Sequence, residues 1–418
     1  MNAGDVKNVD NRAVTLVAAR GWLAIAAMTV ALATPAGLPE AANIAFFVFC
    51  GLAIVGAPLF AWKGLLQHPG ITLPLVATLL LLGAFSLSAE GPQDLLAIYL
   101  FTPLFLTAPM AALLGAGGRQ VSLERAALAA SAGAFFALAV ALFDVTVAGH
   151  QRAGFSVNNP LHFAAIALTL GFLPPAAIPR STGWRRTVML CAPAAGAGAV
   201  ILSGSRGPIL AILPVLVIAI FGYLFMIGVR VRRLVLAMAL GLMAVALLLT
   251  LAWLGVLPGG GTLHQVAAII TSGEAPDDSV AQRLLMYQSA YNAFLAAPVF
   301  GHGMADFIAI TASYAPAGTE MPTYDHLHND IADFAVIGGL VGLVSYLLII
   351  FAPLFEAARA PHHHRGPAVY LALVLATAYL ALGLTNAVFG IITQTVLFGF
   401  MAAYIVNLAR AGTGALQE

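Results

Sequence analysis

Two histidines, His326 and His328, stand among Asp325, Asn329, Asp330 and Asp333 in a chain that is otherwise mostly hydrocarbon. A free imidazole titrates at about 6.5, so at neutral pH His328 is mainly the unprotonated base. Within hydrogen-bond reach of a hydroxyl, it can take the proton as that oxygen attacks an electrophilic carbon. Asp325 or Asp330 would orient the ring or stabilise its protonated form, as in carboxylate–histidine pairs. Tyr324 and His326 count as supporting groups, and Asn329 and Asp330 also suit a helix N-terminus. Directly after them the sequence turns apolar and stays so through Phe355. A titratable cluster at the mouth of a membrane helix marks a functional site.

Three arginines are candidates for anion binding. Arg206 lies in a tight turn where Gly204 and Gly207 relieve the backbone and Pro208 suits the first turn of the next helix. Arg283 sits on an amphipathic stretch whose apolar side is expected to run through Val280, Leu284, Tyr287, Tyr291 and Phe294, ending at Pro298. Arg152 belongs to a loop between apolar stretches. A planar guanidinium fork matches phosphate oxygens better than a lysine does. With this charge available, neither a metal nor another cofactor is expected, although His326 and His328 on a strand would share one face and suit zinc. No GxxxxGK[ST] loop is present, so the energy of reaction would reside in an activated donor rather than a nucleotide.

The elements that position these groups are membrane helices. Of 418 residues, 61% are hydrophobic and 8% charged, against about 25% charged in soluble domains. The expected fold is all-α and polytopic, with about twelve crossings near 14–34, 41–62, 71–88, 95–116, 126–148, 160–179, 187–203, 208–229, 234–257, 331–355, 367–387 and 389–408. This divides the chain into nine crossings over 1–257, a loop over 258–330 carrying amphipathic helices that lie on the membrane face, and three crossings over 331–418. A cleaved signal peptide is not expected, since the leading region is long and carries Asp5 and Asp10. Asp144, an acid within an apolar stretch, is expected to line a cavity or pair with an arginine. Cys50 and Cys191 fall in apolar segments, which argues against a disulfide.

Orientation follows from the basic residues. With both termini cytoplasmic, all 18 Lys and Arg except Arg152, Arg206 and Arg283 fall on the inner side. Most acids fall outside, so the long loop and His328 are expected to be extracytoplasmic. The basic residues are scattered, which leaves no stripe for a nucleic acid.

The pairing of His328 and Asn329 with Gly339 and Gly342 resembles the signature of the O-antigen ligases of Gram-negative bacteria. Ser205, Arg206 and Gly207 look like the Ser-Arg-Gly element of that superfamily. Arg283 followed by Pro298 and the Gly301–Gly303 turn is similar to its loop, and Arg152 with Gly154, Asn159 and Pro160 is similar to another. The resemblance implies a GT-C-like, metal-independent, inverting glycosyltransferase of the inner membrane, acting at the periplasmic face. It would move O-antigen from an undecaprenyl diphosphate carrier to lipid A–core oligosaccharide. His328 would be the general base, and Arg206, Arg283 and Arg152 would bind the diphosphate. An O-antigen polymerase or a protein O-oligosaccharyltransferase of the same superfamily is the alternative reading. A secondary transporter is the rival from another class, though its polar groups belong near the bilayer midplane.

Overall fold

A computed structural model describes residues 3–411, apart from 90, 93, 119, 120, 158, 231, 234, 235, 237–242, 244–249, 251–253, 255–277 and 323, with side chains from residue 18 onward. Every regular element among the described residues is helical. The α-helices are α1 (Ala3–Ala33), α2 (Pro39–Val55), α3 (Pro69–Ser88), α4 (Thr102–Phe105), α5 (Thr107–Ala116), α6 (Leu123–Thr146), α7 (Pro160–Phe172), α8 (Gly183–Leu202) and α9 (Arg206–Met226). They continue as α10 (Asp278–Ala296), α11 (Phe307–Ser313), α12 (Asp330–Ala358), α13 (His362–Gly383) and α14 (Ile392–Arg410), with short 3-10 turns between some of them.

Among the described residues, nine helical segments are long and apolar enough to cross a membrane. Ala18–Ala33 and Pro39–Val55 are shorter apolar helices that coincide with the first two expected crossings. The ninth expected crossing, 234–257, and the boundary at 257–258 lie outside the described residues, apart from scattered positions. The chain is thus a polytopic helical membrane protein. Its outer surface is apolar, with Leu210, Leu216 and Ile220 exposed along α9. Inside, α14 is nearly enclosed, and Phe398, Phe400 and Tyr404 are fully buried. The most extensive helix contacts pair α3 with α12, α9 with α13, and α6 with α8.

The two ends of the bundle differ chemically. Opposite His328, arginines reach main-chain carbonyls: Arg359 donates to Gln67 O at 2.8 Å and Arg410 to Lys63 O at 3.0 Å. There too, Arg185 pairs with Glu124 at 3.1 Å, and buried Glu356 meets His68 Nδ1 at 2.7 Å. At the other end stand the α8–α9 turn, the α13–α14 loop and the start of α12.

α12 is broken. Gly339 has φ 59° and ψ −141°, a conformation open in practice only to glycine. The Pro298–Gly303 turn is hydrogen-bonded into the break. Leu340 N donates to Pro298 O at 2.8 Å and Val341 N to Val299 O at 3.1 Å, while His302 N and Gly303 N reach Val336 O and Ile337 O at 2.8 and 3.0 Å. A Cβ on Gly339 would come within 2.6 Å of Val299 C, and one on Gly342 within 2.0 Å of Phe334 O. Gly339 therefore admits the turn into the break, and Gly342 lets the two halves of α12 pass close to each other.

α10 forms where expected, but its buried stripe is Met286, Ser289, Ala290 and Ala293 rather than the aromatic run, and Tyr291 is exposed. Small residues let α10 approach α12 closely. Tyr291 and Leu295 are left exposed.

Candidate active site

His328 occupies the loop before α12 with φ 55°, the one positive φ at a non-glycine among the described residues. A side chain costs about 1–2 kcal/mol in the left-handed region, so the surroundings must hold it there. Tyr287 on α10 donates its hydroxyl to His328 O at 3.2 Å, and His328 N donates to His326 Nδ1 at 3.2 Å. Burial pushes the Tyr287 phenol up, which keeps that hydroxyl protonated. At α12, Asn329 is the N-cap, accepting from Ile331 N at 2.9 Å and Ala332 N at 3.2 Å. This cap brings His328 back over the helix start.

The His328 ring is oriented by a residue that the sequence reading did not single out. Nδ1 donates to Asn386 Oδ1 in the α13–α14 loop at 3.4 Å, which leaves the Nε2 lone pair free. Burial lowers the His328 pKa, and the nearby Arg283 guanidinium lowers it further; Asn386 opposes both. His326 packs edge-to-face on His328, ring centroids 4.3 Å apart. Burial, then the neighbouring imidazoles of His328 and His162, lower the His326 pKa to about 3. His326 thus stays neutral and acts as an acceptor for backbone N–H. His162, also unanticipated, lies at the start of α7 with its ring 6.4 Å from His326, and neither ring nitrogen has a hydrogen-bond partner among the described residues.

The carboxylates do other work than facing His328. Asp330 is fully buried, and its Oδ1 accepts from Val388 N at 2.8 Å and Phe389 N at 3.3 Å. It therefore shapes the loop that presents Asn386. Asp333 Oδ1 accepts from Leu327 N at 2.8 Å, fixing the chain between the two histidines. Asp325 is exposed and faces a cleft beside Tyr324. Tyr324 stands edge-on to His328 at 5.1 Å and donates to Gln282 Oε1 at 3.0 Å.

Arg283 lies close enough to lower the pKa of both His326 and His328. Arg206 begins α9 and is exposed. The next residue, Gly207, packs so tightly on Thr385 that a Cβ would meet Thr385 Oγ1 at 2.2 Å. Since Asn386 follows Thr385 and bonds His328, the backbone at Arg206 lies beside the same loop. Arg152 packs behind this turn. Its Nε donates to Ser203 O at 2.9 Å and its Nη2 to Ser205 Oγ at 2.8 Å. Asp144, fully buried, pairs with no arginine among the described residues; its Oδ2 accepts from Gly154 N at 2.6 Å and anchors the Arg152 loop.

One end of the bundle thus gathers an oriented imidazole, a neutral second imidazole, the Arg283 guanidinium from α10 and the first turn of α9, which begins at Arg206. Residues 191–347 match the family model described as O-antigen ligase. The matched stretch holds Arg206, Arg283, His328, Gly339 and Gly342; Arg152, His162 and Asn386 lie outside it. No curated protein matches the chain.

Proposed function

We propose that this chain, whose residues 191–347 match the family model described as O-antigen ligase, is an O-antigen ligase acting on the extracytoplasmic side of the inner membrane. The observation that carries the mechanism is the setting of His328: left-handed backbone, Nδ1 donating to Asn386, and Arg283 alongside. Nε2 takes the proton of a hydroxyl on the terminal core sugar as its oxygen bonds to the anomeric carbon of the donor. The bond from that carbon to the diphosphate breaks, and undecaprenyl diphosphate leaves with the electron pair. Arg206 and Arg283 stabilise the charge on the leaving oxygens. Arg152 supports them from behind the α8–α9 turn. Attack from the face opposite the diphosphate inverts the anomeric carbon. The mechanism calls for no metal or nucleotide.

The test is transfer by purified protein from lipid-linked O-antigen to lipid A–core in the presence of chelator. His328→Ala should lower kcat about 100- to 10,000-fold, and Arg206→Ala or Arg283→Ala about 100- to 1,000-fold. Turnover by His328→Ala within about tenfold of the unmodified protein overturns the base assignment. Elongation of the lipid-linked glycan without transfer to core identifies a polymerase instead.

A further inference from the structure

Beside the histidine loop is a cleft of about 480 Å³ whose character differs from that of the arginine side. Tyr99 and Tyr324 line it, 58% and 40% exposed, together with Met304 and Met321. Among the described residues, its only charged lining groups are Asp306 and Asp325. Asp306 occupies the N-cap position of α11, yet its carboxylate accepts no bond from that helix. Neither carboxylate has a hydrogen-bonding or ion-pair partner among the described residues. Tyr324 forms the boundary, with one side on the cleft and its ring 5.1 Å from that of His328.

We propose that this cleft is the acceptor-sugar subsite, and that it takes a neutral glycan terminus with no phosphate on the reacting sugar. The proposal rests on the ligase reading for the identity of the glycan, but its chemistry is local. Exposed tyrosine rings offer flat apolar faces to the C–H face of a sugar ring and a polar edge to its hydroxyls. Unpaired carboxylates accept strong hydrogen bonds from vicinal hydroxyls. With no cation among the described lining residues, the same carboxylates repel a phosphate, so the donor diphosphate is directed to Arg206 and Arg283 instead. A sugar held here against Tyr324 presents its hydroxyl to the imidazole at the boundary. The two substrates are thereby sorted by charge on either side of His328.

The experiment uses the full chain in nanodiscs and the double variant Asp306→Asn, Asp325→Asn, which keeps shape and removes charge. Two soluble probes are titrated by calorimetry: a neutral core oligosaccharide, and the same oligosaccharide phosphorylated on its terminal sugar. The unmodified protein should bind the neutral probe at least about tenfold more tightly, a gap of the size that one or two charge-linked contacts produce. In the double variant the gap should fall below about threefold, and in transfer assays acceptor KM should rise while donor KM holds. Equal binding of both probes by the unmodified protein, a gap unmoved by the variant, or a rise confined to donor KM each overturns the proposal. Selective binding of the neutral probe without transfer to lipid A–core supports the cleft and removes only the ligase reading.

Discussion

The Tyr287 hydroxyl donates to the carbonyl of His328 at 3.2 Å, which ties α10 to the one left-handed side-chain-bearing residue among those described. An arginine-bearing helix thus holds the backbone of the histidine loop in a conformation it would not adopt alone. Tyr287→Phe removes that bond and should lower kcat about five- to tenfold, with little change in thermal stability. A loss of stability without a change in rate would show that the bond serves folding only.

Strain and chemistry at His328 separate by substitution. Asn tolerates positive φ and cannot act as a base, whereas Ala lacks both properties. His328→Asn should therefore match the unmodified protein in melting temperature and show no transfer. His328→Ala should be inactive and also less stable, by about 1 kcal/mol. Differential scanning fluorimetry beside the transfer assay reads both quantities.

The pH profile follows from the lowered pKa of His328. The active base is the unprotonated ring, so transfer is fully present above the free-histidine value of about 6.5 and falls away below it. The same shift bears on stability: below about 6.5 the unfolded chain binds a proton that the folded chain resists, so stability also declines as pH falls. Asn386→Asp places a carboxylate at Nδ1 and should move the acid limb of the kcat/KM profile to higher pH. An unmoved limb would mean that another group titrates in the reaction.

Arg152 is held in a fork between Ser203 O and Ser205 Oγ. If it acts by fixing the turn that carries Arg206, a lysine with the same charge and no fork should not replace it. Arg152→Lys and Arg152→Gln are then expected to raise donor KM equally, about tenfold. Rescue by lysine would instead show that its charge acts on the diphosphate directly.

Much of the site was readable from residue types and spacing. His328 with Asn329, the paired glycines and the arginines at 206 and 283 announced themselves as polar or conformationally special residues in an apolar chain. Asn386 did not, because its role depends on a contact spanning 58 residues, and an asparagine between two apolar helices reads as an ordinary turn residue. His162 was hidden similarly, at the start of an apolar helix. The broken course of α12 was invisible too: Gly339 breaks no hydropathy pattern, and the turn that fills the gap lies well before it in sequence. On α10, aromatic spacing suggested one face inward, yet close approach to α12 selected the small residues.

The break at Gly339 also governs what can move. Four main-chain bonds join the Pro298–Gly303 turn to both halves of α12, so α10 and the helix that follows the His328 loop are tied together across the break. Under the ligase reading, entry of a bulky polysaccharide would then proceed without α10 hinging away from the histidine loop. Amide protons of Leu340 and Val341 should exchange with deuterium as slowly as those of the enclosed helix α14.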